Sequence, residues 1–571
     1  MQTQRMILWI VFSMSLLFLW DSWQRHNGQP SMFGPSTSQQ AGSPAAGSAG
    51  GANPVSADPS IPPPTAASDA GRVEAPAATP STSGQTLRLA NDVLALDIDL
   101  NGGQIRRAEL LKHRDLSDRA NNLALLEDKP GHLYLAQTGW VGNGADGAGF
   151  PTHRTPMTPV DGNTQARVLS DGSGAVQLSL SAESGGLKVV RTYTLARGAY
   201  LLDVKDEISN VSGVPLRPTQ YMQLTRDGNK PAGESSFYST YTGPVIFTEA
   251  DRFQKVDFSS IDKDKAKHSV QANDGWAGII QHYFVSAWIP PQDTPREYYT
   301  RKVDSNLYSV GIRRTAAELA PGASATVEEK LLIGPQDQRM LEKIAPGLDL
   351  TVDYGILTVI AQPIYWLLEK LHGIVGNWGW AIVLLTIVIK TLFYPLQAAS
   401  YRSMARMKAV TPRLQQIRER YGDDRMKMNQ AMMELYKTEK INPLGGCLPI
   451  VVQIPVFIAL YWVLLASVEM RNAPWIGWIV DLAAPDPFYI LPLVMAGTMF
   501  IQVKLNPTPP DPMQAKIMMI MPLVFSVMFF FFPAGLVLYW LVNNIYSIIQ
   551  QWLITRKIEA SAAVAAAKPK R

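Results

Sequence analysis

The last third of this chain holds five apolar runs, at 378–396, 448–468, 488–503, 517–532 and 536–554, each nearly free of charge. A hydrocarbon core needs about 20 helical residues to cross it, and local thinning or a tilt absorbs a modest mismatch. The runs are therefore read as membrane spans, the last two joined by Pro533-Ala534-Gly535 as a tight hairpin. A sixth run, 6–20, follows Arg5 and ends at Asp21. It has the basic start and apolar core of a secretory signal, but no small-x-small cleavage site comes after it. An uncleaved anchor over 1–23 is the better reading, with Trp23 at the far interface.

Charge fixes the orientation. Across 21–353 there are 31 basic and 37 acidic residues, and the remainder has 21 and 11. The net charge of +4 and the mean hydropathy of −0.01 thus average two unlike parts. The basic excess lies among apolar segments, so it reads as membrane orientation and not as a face for DNA. Ten basic residues stand in 397–446, and Arg556, Lys557, Lys568, Lys570 and Arg571 follow the last span. By contrast, 469–487 has one Arg and three acids. Six spans with both termini in the cytoplasm meet all of these constraints, and 21–353 then lies outside.

Residues 24–84 are mostly Pro, Ala, Gly and Ser with almost no aromatics, and read as a flexible linker. From 85 to 345, alternating runs recur at 87–100, 187–195, 200–208 and 325–333, bounded by turn clusters such as Asn101-Gly102-Gly103. Period-two alternation with that turn chemistry predicts antiparallel strands in a sandwich. Within 346–375, the stretch 354–371 is apolar but broken by Pro363 and closed by Glu369-Lys370. It is expected to be an amphipathic helix at the outer interface.

Most enzyme chemistry is missing. One cysteine, Cys447, permits no intramolecular disulfide and no cysteine-built metal site, and seven histidines without HExxH argue against a histidine one. Gly142, Gly144 and Gly147 match GxGxxG, but they follow no convincing strand and carry Asp146 where a pyrophosphate would sit, so a turn is expected. No Walker A or GxSxG sequence is present, and no cofactor or metal is implied.

Lys390 stands out, because a charge inside an apolar span is costly and is by default a functional hypothesis. Its place, about 9 Å from the end of the run at about 1.5 Å per residue, also allows snorkelling to the cytoplasmic interface. Thr386 lies one turn earlier, and Gln453, Gln502, Asn543, Asn544 and Ser547 stand in other runs. Polar groups at similar depth favour a hydrated cavity, although some serve only to tie helices together. Between the second and third spans, 398–446 reads as two helices joined at Gly422-Asp423-Asp424. Met404 and Met407 lie on the first, and Met426, Met428, Met432 and Met433 on the second. They form either an adaptable apolar surface or the packing of one helix on the other. The basic face also suits acidic lipid headgroups or ribosomal RNA.

Four stretches then resemble the YidC/Oxa family of membrane protein insertases: GNWGWAIVLLTIVIKTLFYPLQ (376–397), NPLGGCLPIVVQIPVF (442–457), DPMQAKIMMIMP (511–522) and FPAGLVLYWLVNNI (532–545). The likeness covers about 353–556, and the anchor, linker and exported β-domain look like the Gram-negative form. It implies a multi-pass α-helical inner-membrane protein of six transmembrane helices. Five of them, at 376–397 and within 447–555, form the core around a hydrophilic groove open to cytoplasm and lipid. A helical hairpin at 398–446 caps the groove, the tail 556–571 is cytoplasmic, and the large all-β periplasmic domain resembles a β-supersandwich. The implied activity is insertion and folding of nascent inner-membrane proteins, alone or beside the Sec translocon, without nucleotide hydrolysis; ribosomes and membrane lipids are the further expected partners. The family's groove arginine falls at Lys390, which keeps the charge without the planar donor fork. Its aromatic substrate contact falls at Tyr539-Trp540. The expected groove residues are thus Lys390, Thr386, Gln453, Tyr539 and Trp540, with Met404, Met407, Met432 and Met433 on the hairpin. Rival readings are a solute transporter or channel, which would want a path through both faces, and a membrane-anchored carbohydrate-processing enzyme built on the exported domain.

Overall fold

The computed structural model describes residues 58–63, 84–115, 118–142, 144, 147–231, 240–422, 424–439, 448–505, 516, 519–520 and 526–566. These fall into two units, one within 34–352 and the other within 353–571. The anchor 1–23, most of the linker, Cys447, residues 517–518 and 521–525 of the run 517–532 and the last five residues of the tail lie outside the described residues.

The first unit is built from strands whose pattern is visible in the sequence. In Leu187–Ala196 and Leu201–Asn210, buried residues alternate with more exposed ones, as one packed and one wetter face require. The strands form a ten-stranded and a nine-stranded sheet. The middle of the first runs Leu307–Thr315, Thr219–Asp227, His132–Val141; the middle of the second runs Phe284–Ile289, Ser324–Pro335, Leu201–Asn210, Leu187–Ala196. The sheets pack face to face. Trp140 of the first shares a buried cluster with Leu187, Val189 and Ile208 of the second. In return, Trp288 Nε1 of the second sheet donates to the Gln223 carbonyl of the first at 3.1 Å.

Turn chemistry refines the expected strands. The run 87–100 is a hairpin of Thr86–Ala90 and Leu94–Asp99 and not one strand. Asn91 makes the turn, its Oδ1 accepting from the Val93 and Leu94 amides at 2.8 and 2.7 Å, which alternation alone conceals. The turn at Gly102 and Gly103 has φ of 75° and 67°. A Cβ on Gly102 would fall 1.9 Å from the His153 backbone, so both conformation and space demand glycine. In the GxGxxG stretch, the Gly147 amide donates to the Gly144 carbonyl at 3.1 Å, a turn.

The second unit is helical. Helix α1 (Thr358–Val375) ends at Gly376, whose φ of 66° reverses the chain, and Asn377 caps α2 (Trp378–Leu392) by accepting from the Trp380 amide. Next come α3 (Tyr394–Tyr421), α4 (Arg425–Thr438), α5 (Leu448–Ala466), α6 (Ile490–Leu505) and α7 (Ala534–Ala566). The run 378–396 is not straight: α2 stops at Leu392 and α3 leaves at 66°. Pro395 explains the break, since it donates no amide and its ring clashes with the carbonyl four residues back. Among the described residues no single helix is by itself long and apolar enough to cross a membrane; the bent pair Trp378–Leu392 and Tyr394–Met407 together has the length and composition of a span. Helix α7 packs on α6, α2 and α3, and α1 packs on α5 and α2. Helices α3 and α4 form a hairpin in which Met407, Met432, Leu435 and Tyr436 pack against buried Val410 and Leu414.

Buried charges in the sandwich are mostly paired. Arg191 grips Asp206 with two bonds of 2.7 Å, and Trp140 Nε1 donates to the same carboxylate at 2.9 Å. Glu329 is met less completely. Gln220 donates to its Oε1 and Arg314 stands 3.7 Å away, but its buried Oε2 has no partner among the described residues. Burial, with Asp206 adding to it and Arg314 opposing, pushes its carboxyl well above the ordinary carboxylate range. The folded chain therefore keeps a proton that the unfolded chain releases, and Glu329 contributes less stability as pH rises above that range. Glu329→Gln, which imitates the protonated acid, is expected to raise the Tm of the β-domain at pH 8 and to leave it nearly unchanged at pH 5. The rise should be about 2–4 °C for each kcal/mol of penalty removed. Thermal unfolding of both proteins at the two pH values checks this, and an equal shift at both would contradict it.

Candidate functional site

The bend after α2 brings the start of α3 beside α5 and α7, and a cavity of about 360 Å³ opens between α2, α3, α5, α6 and α7. Lys390 enters it from α2, one turn before the bend. On α3, Gln397, Ser400, Tyr401 and Met404 line it, a spacing of i, i+3, i+4, i+7 that marks one face of a helix. Helix α5 supplies Gln453 and Phe457, α6 supplies Met499 and Gln502, and α7 supplies Tyr539, Trp540, Asn543, Asn544 and Ser547.

Lys390 is 3% exposed and does not reach outward. Its Nζ donates to Ser547 Oγ at 2.8 Å, and that hydroxyl donates to the Asn543 carbonyl at 2.8 Å. Asn543 Oδ1 accepts from Gln453 Nε2 at 2.7 Å. One chain of hydrogen bonds thus ties α2, α7 and α5 together. Among the described residues Lys390 is the single charged side chain on the cavity wall, and no carboxylate pairs with it. Further polar atoms have no partner within the described protein: Gln397 Oε1, Asn544 Nδ2 and Trp540 Nε1. Such a wall suits a hydrated or polar occupant, because each orphaned group in a dry site would cost about 1–3 kcal/mol.

The remaining expected residues separate by position. Gln453, Tyr539 and Trp540 line the cavity with Lys390. Tyr539 is 2% exposed and stacks on Phe457 at 6.2 Å between ring centroids, whereas Trp540 is half-buried, its ring 4.6 Å from that of Phe457. Thr386 does not line the cavity; it is fully buried and its hydroxyl donates to the Ile382 carbonyl at 2.7 Å. Met404 lies on the cavity wall, Met407 and Met432 pack inside the hairpin, and Met433 is exposed. Gln397, Ser400 and Tyr401 are lining residues that the sequence reading did not single out. Their shared face and the helix restart at Pro395 were the available signals.

Outside the cavity the polarity inverts. Leu392, Leu493, Ile501, Ile549 and Trp552 are all at least half exposed. Polar groups inside and large apolar ones outside are the reverse of a soluble helical bundle and fit a lipid surround. Fold and site together define a helical membrane protein with a large all-β domain. The comparisons with known proteins agree. Residues 86–367 match the family described as the YidC periplasmic domain, and residues 370–561 match the 60Kd inner membrane protein family. A membrane protein insertase YidC from Cupriavidus necator is 52% identical over 571 residues, covering 100% of both chains. One from Bordetella pertussis is 54% identical over 567 residues, covering 99% of this chain and 100% of its own. Among solved structures, an active YidC insertase crystal structure with the first transmembrane domain resolved covers 82% of this chain and 92% of its own, at 15% identity and a TM-score of 0.38. A galactose mutarotase related enzyme from Lactobacillus acidophilus covers 44% of this chain and 97% of its own, at 11% identity and a TM-score of 0.30. The chain belongs to the YidC family of membrane protein insertases, inner-membrane proteins with a β-rich periplasmic domain.

The bond from Lys390 to Ser547 gives a direct stability test. Ser547→Ala removes the ammonium's described partner and should lower stability in detergent by about 2 kcal/mol, the range for a hydrogen bond to a charged group. Ser547→Thr, which keeps the hydroxyl, should cost less. Equal thermal unfolding of wild type and Ser547→Ala would show that the bond contributes nothing.

Proposed function

We propose that the cavity is the groove through which this insertase moves the short polar tails of nascent inner-membrane proteins partway across the bilayer. The observation that carries the reading is the buried cation: Lys390 lies inside a polar cavity with no described carboxylate to neutralise it. A hydrated cavity lowers the cost of taking a polar tail out of water, and an uncompensated ammonium attracts acidic groups on that tail. The substrate's apolar segment then passes Phe457 and Trp540 into lipid, where burial contributes ~0.8 kcal/mol per CH₂. The membrane potential assists at about 2.3 kcal/mol per charge per 100 mV, and no nucleotide is consumed.

The same proposal includes the topology: six spans with both termini cytoplasmic, five of them forming the core, and the groove open to cytoplasm and lipid. The divisions at 1–23, 24–84, 85–345, 346–375, 376–397, 398–446, 447–555 and 556–571 go with it. Nascent chains arrive alone or from the Sec translocon, and the basic hairpin and tail receive the ribosome. Met433 and Met404 offer adaptable apolar contacts to the arriving chain. Thr386, its hydroxyl held by the Ile382 carbonyl, serves the packing of α2.

Lys390→Ala should reduce insertion of a substrate with an acidic tail at least tenfold while a neutral-tailed substrate inserts nearly normally. Lys390→Arg, which preserves the charge, should restore most of the loss. Insertion into vesicles carrying each variant, scored by protease protection of the tail, measures this. Normal insertion of the acidic substrate by Lys390→Ala would remove Lys390 from the mechanism.

A further inference from the structure

Six residues of the linker, Asp58-Pro59-Ser60-Ile61-Pro62-Pro63, lie docked on the first unit. Asp58 and Ser60 are 9% and 5% exposed, and Pro62 is buried as well. The surface beneath is the outer side of the central strand Thr219–Asp227, every residue of which is buried.

The contacts are one-sided in their chemistry. Few amides of the segment are left to give: Ser60 N donates to Asp58 Oδ1 at 2.9 Å, Ile61 N donates to the Asp58 carbonyl at 3.2 Å, and the three prolines have none. Its carbonyls, by contrast, are met from the β-domain. Gln223 Nε2 donates to the Ser60 carbonyl at 2.8 Å. Arg301 donates to the carbonyls of Pro59 and, at 3.1 Å, Ile61; Arg313 donates to that of Pro63 at 2.5 Å. A surface lined by Arg and Gln donors thus meets a backbone that offers acceptors and almost no donors, which is the chemistry of a proline-rich chain.

The acidic end is read separately. Arg154 Nε lies 2.5 Å from Asp58 Oδ2. Ser60 Oγ donates to Asp58 Oδ1 at 2.6 Å, so it accepts from His153 Nε2 at 3.2 Å. His153 Nδ1 in turn contacts the Tyr221 hydroxyl at 2.5 Å. Burial holds His153 neutral, its pKa brought down to about 3 with Arg154 adding to the effect, which fits this donor–acceptor order. Tyr299 OH donates to Gln223 Oε1 at 2.8 Å and fixes the amide that reads Ser60.

We propose that this face of the β-domain is a binding site for proline-rich peptides that open with an acidic Asp-Pro-Ser turn, and that the chain's own residues 58–63 are its ligand. Pro59 has its φ fixed inside the turn that the Ile61 amide closes on the Asp58 carbonyl, and Pro62 and Pro63 have fixed φ as well, so little ordering entropy is lost when such a segment docks. The linker is therefore anchored at 58–63, and the site opens to another segment of the same chemistry only when this one leaves. The site is independent of the helical cavity, and neither proposal needs the other.

Peptide binding by the full chain in detergent micelles tests it. The probe is a fluorescein-labelled peptide of sequence Ala-Asp-Pro-Ser-Ile-Pro-Pro-Pro, read by anisotropy, with a scrambled peptide as control. A variant with 58–63 replaced by six Gly and Ser residues should bind the probe at least tenfold more tightly than wild type, whose own segment competes. Asp58→Lys, which sets a cation against Arg154 and leaves the β-domain unaltered, should act in the same direction. Adding Arg301→Ala to the Gly/Ser variant should weaken binding at least tenfold. No binding by either opened variant, with the far-ultraviolet dichroism of wild type, would overturn the proposal. Equal binding of the scrambled peptide would overturn it too.

Discussion

An ammonium group buried between helices is the constraint on which the helical unit depends. A lysine at the centre of a bilayer costs about 2.5–3.5 kcal/mol on the insertion scale, and Lys390 is nearly without solvent contact. Ser547, Asn543 and Gln453 form the hydrogen-bonded chain that offsets this cost, and they lie on α7 and α5. The lysine therefore fixes which faces of α2, α5 and α7 meet. The bend at Pro395 then lays a face of α3 along the same space, so that one cavity collects polar side chains from five helices.

The two units treat buried charge differently. In the β-sandwich, Arg191 and Asp206 neutralise each other with two bonds and Trp140 completes the set. Such a pair is closed and gives nothing to a ligand. Lys390 has a neutral hydroxyl where a carboxylate would stand, so its charge is solvated by dipoles and not cancelled. A site held in that state favours an incoming anion, and the rings of Phe457 and Trp540 beside it lie 4.6 Å apart and form the apolar wall on which the proposed function rests. The difference separates a charge that is cancelled within the fold from one that the proposed function leaves to a substrate.

Much of this was legible because polar groups in apolar runs are expensive and stand out. Lys390, Gln453, Gln502, Asn543, Asn544 and Ser547 all announce themselves that way, and all line the cavity. Gln397, Ser400 and Tyr401 do not, since they sit in a basic, polar segment where such residues are ordinary; only the bend turns their shared face inward. Thr386 shares the face of Lys390 by spacing, yet a threonine can bond its own helix, and this one does. In the β-domain, alternation predicted the strands but not the Asn91 turn, which depends on a side chain bonding backbone. The docking of 58–63 was hidden altogether. Composition reports how little apolar surface a segment can bury, and this segment is held mainly by carbonyls that every sequence possesses.

The central claim is that a substrate's polar tail occupies the cavity around Lys390. Site-specific photocrosslinking to a stalled nascent chain tests it most directly, with the probe placed in turn at Trp540, at Ser400 and at Thr386. The account predicts adducts from Trp540 and Ser400, which face the cavity, and few from Thr386, which does not. Adducts from none of the three, or as many from Thr386 as from the cavity positions, would contradict it.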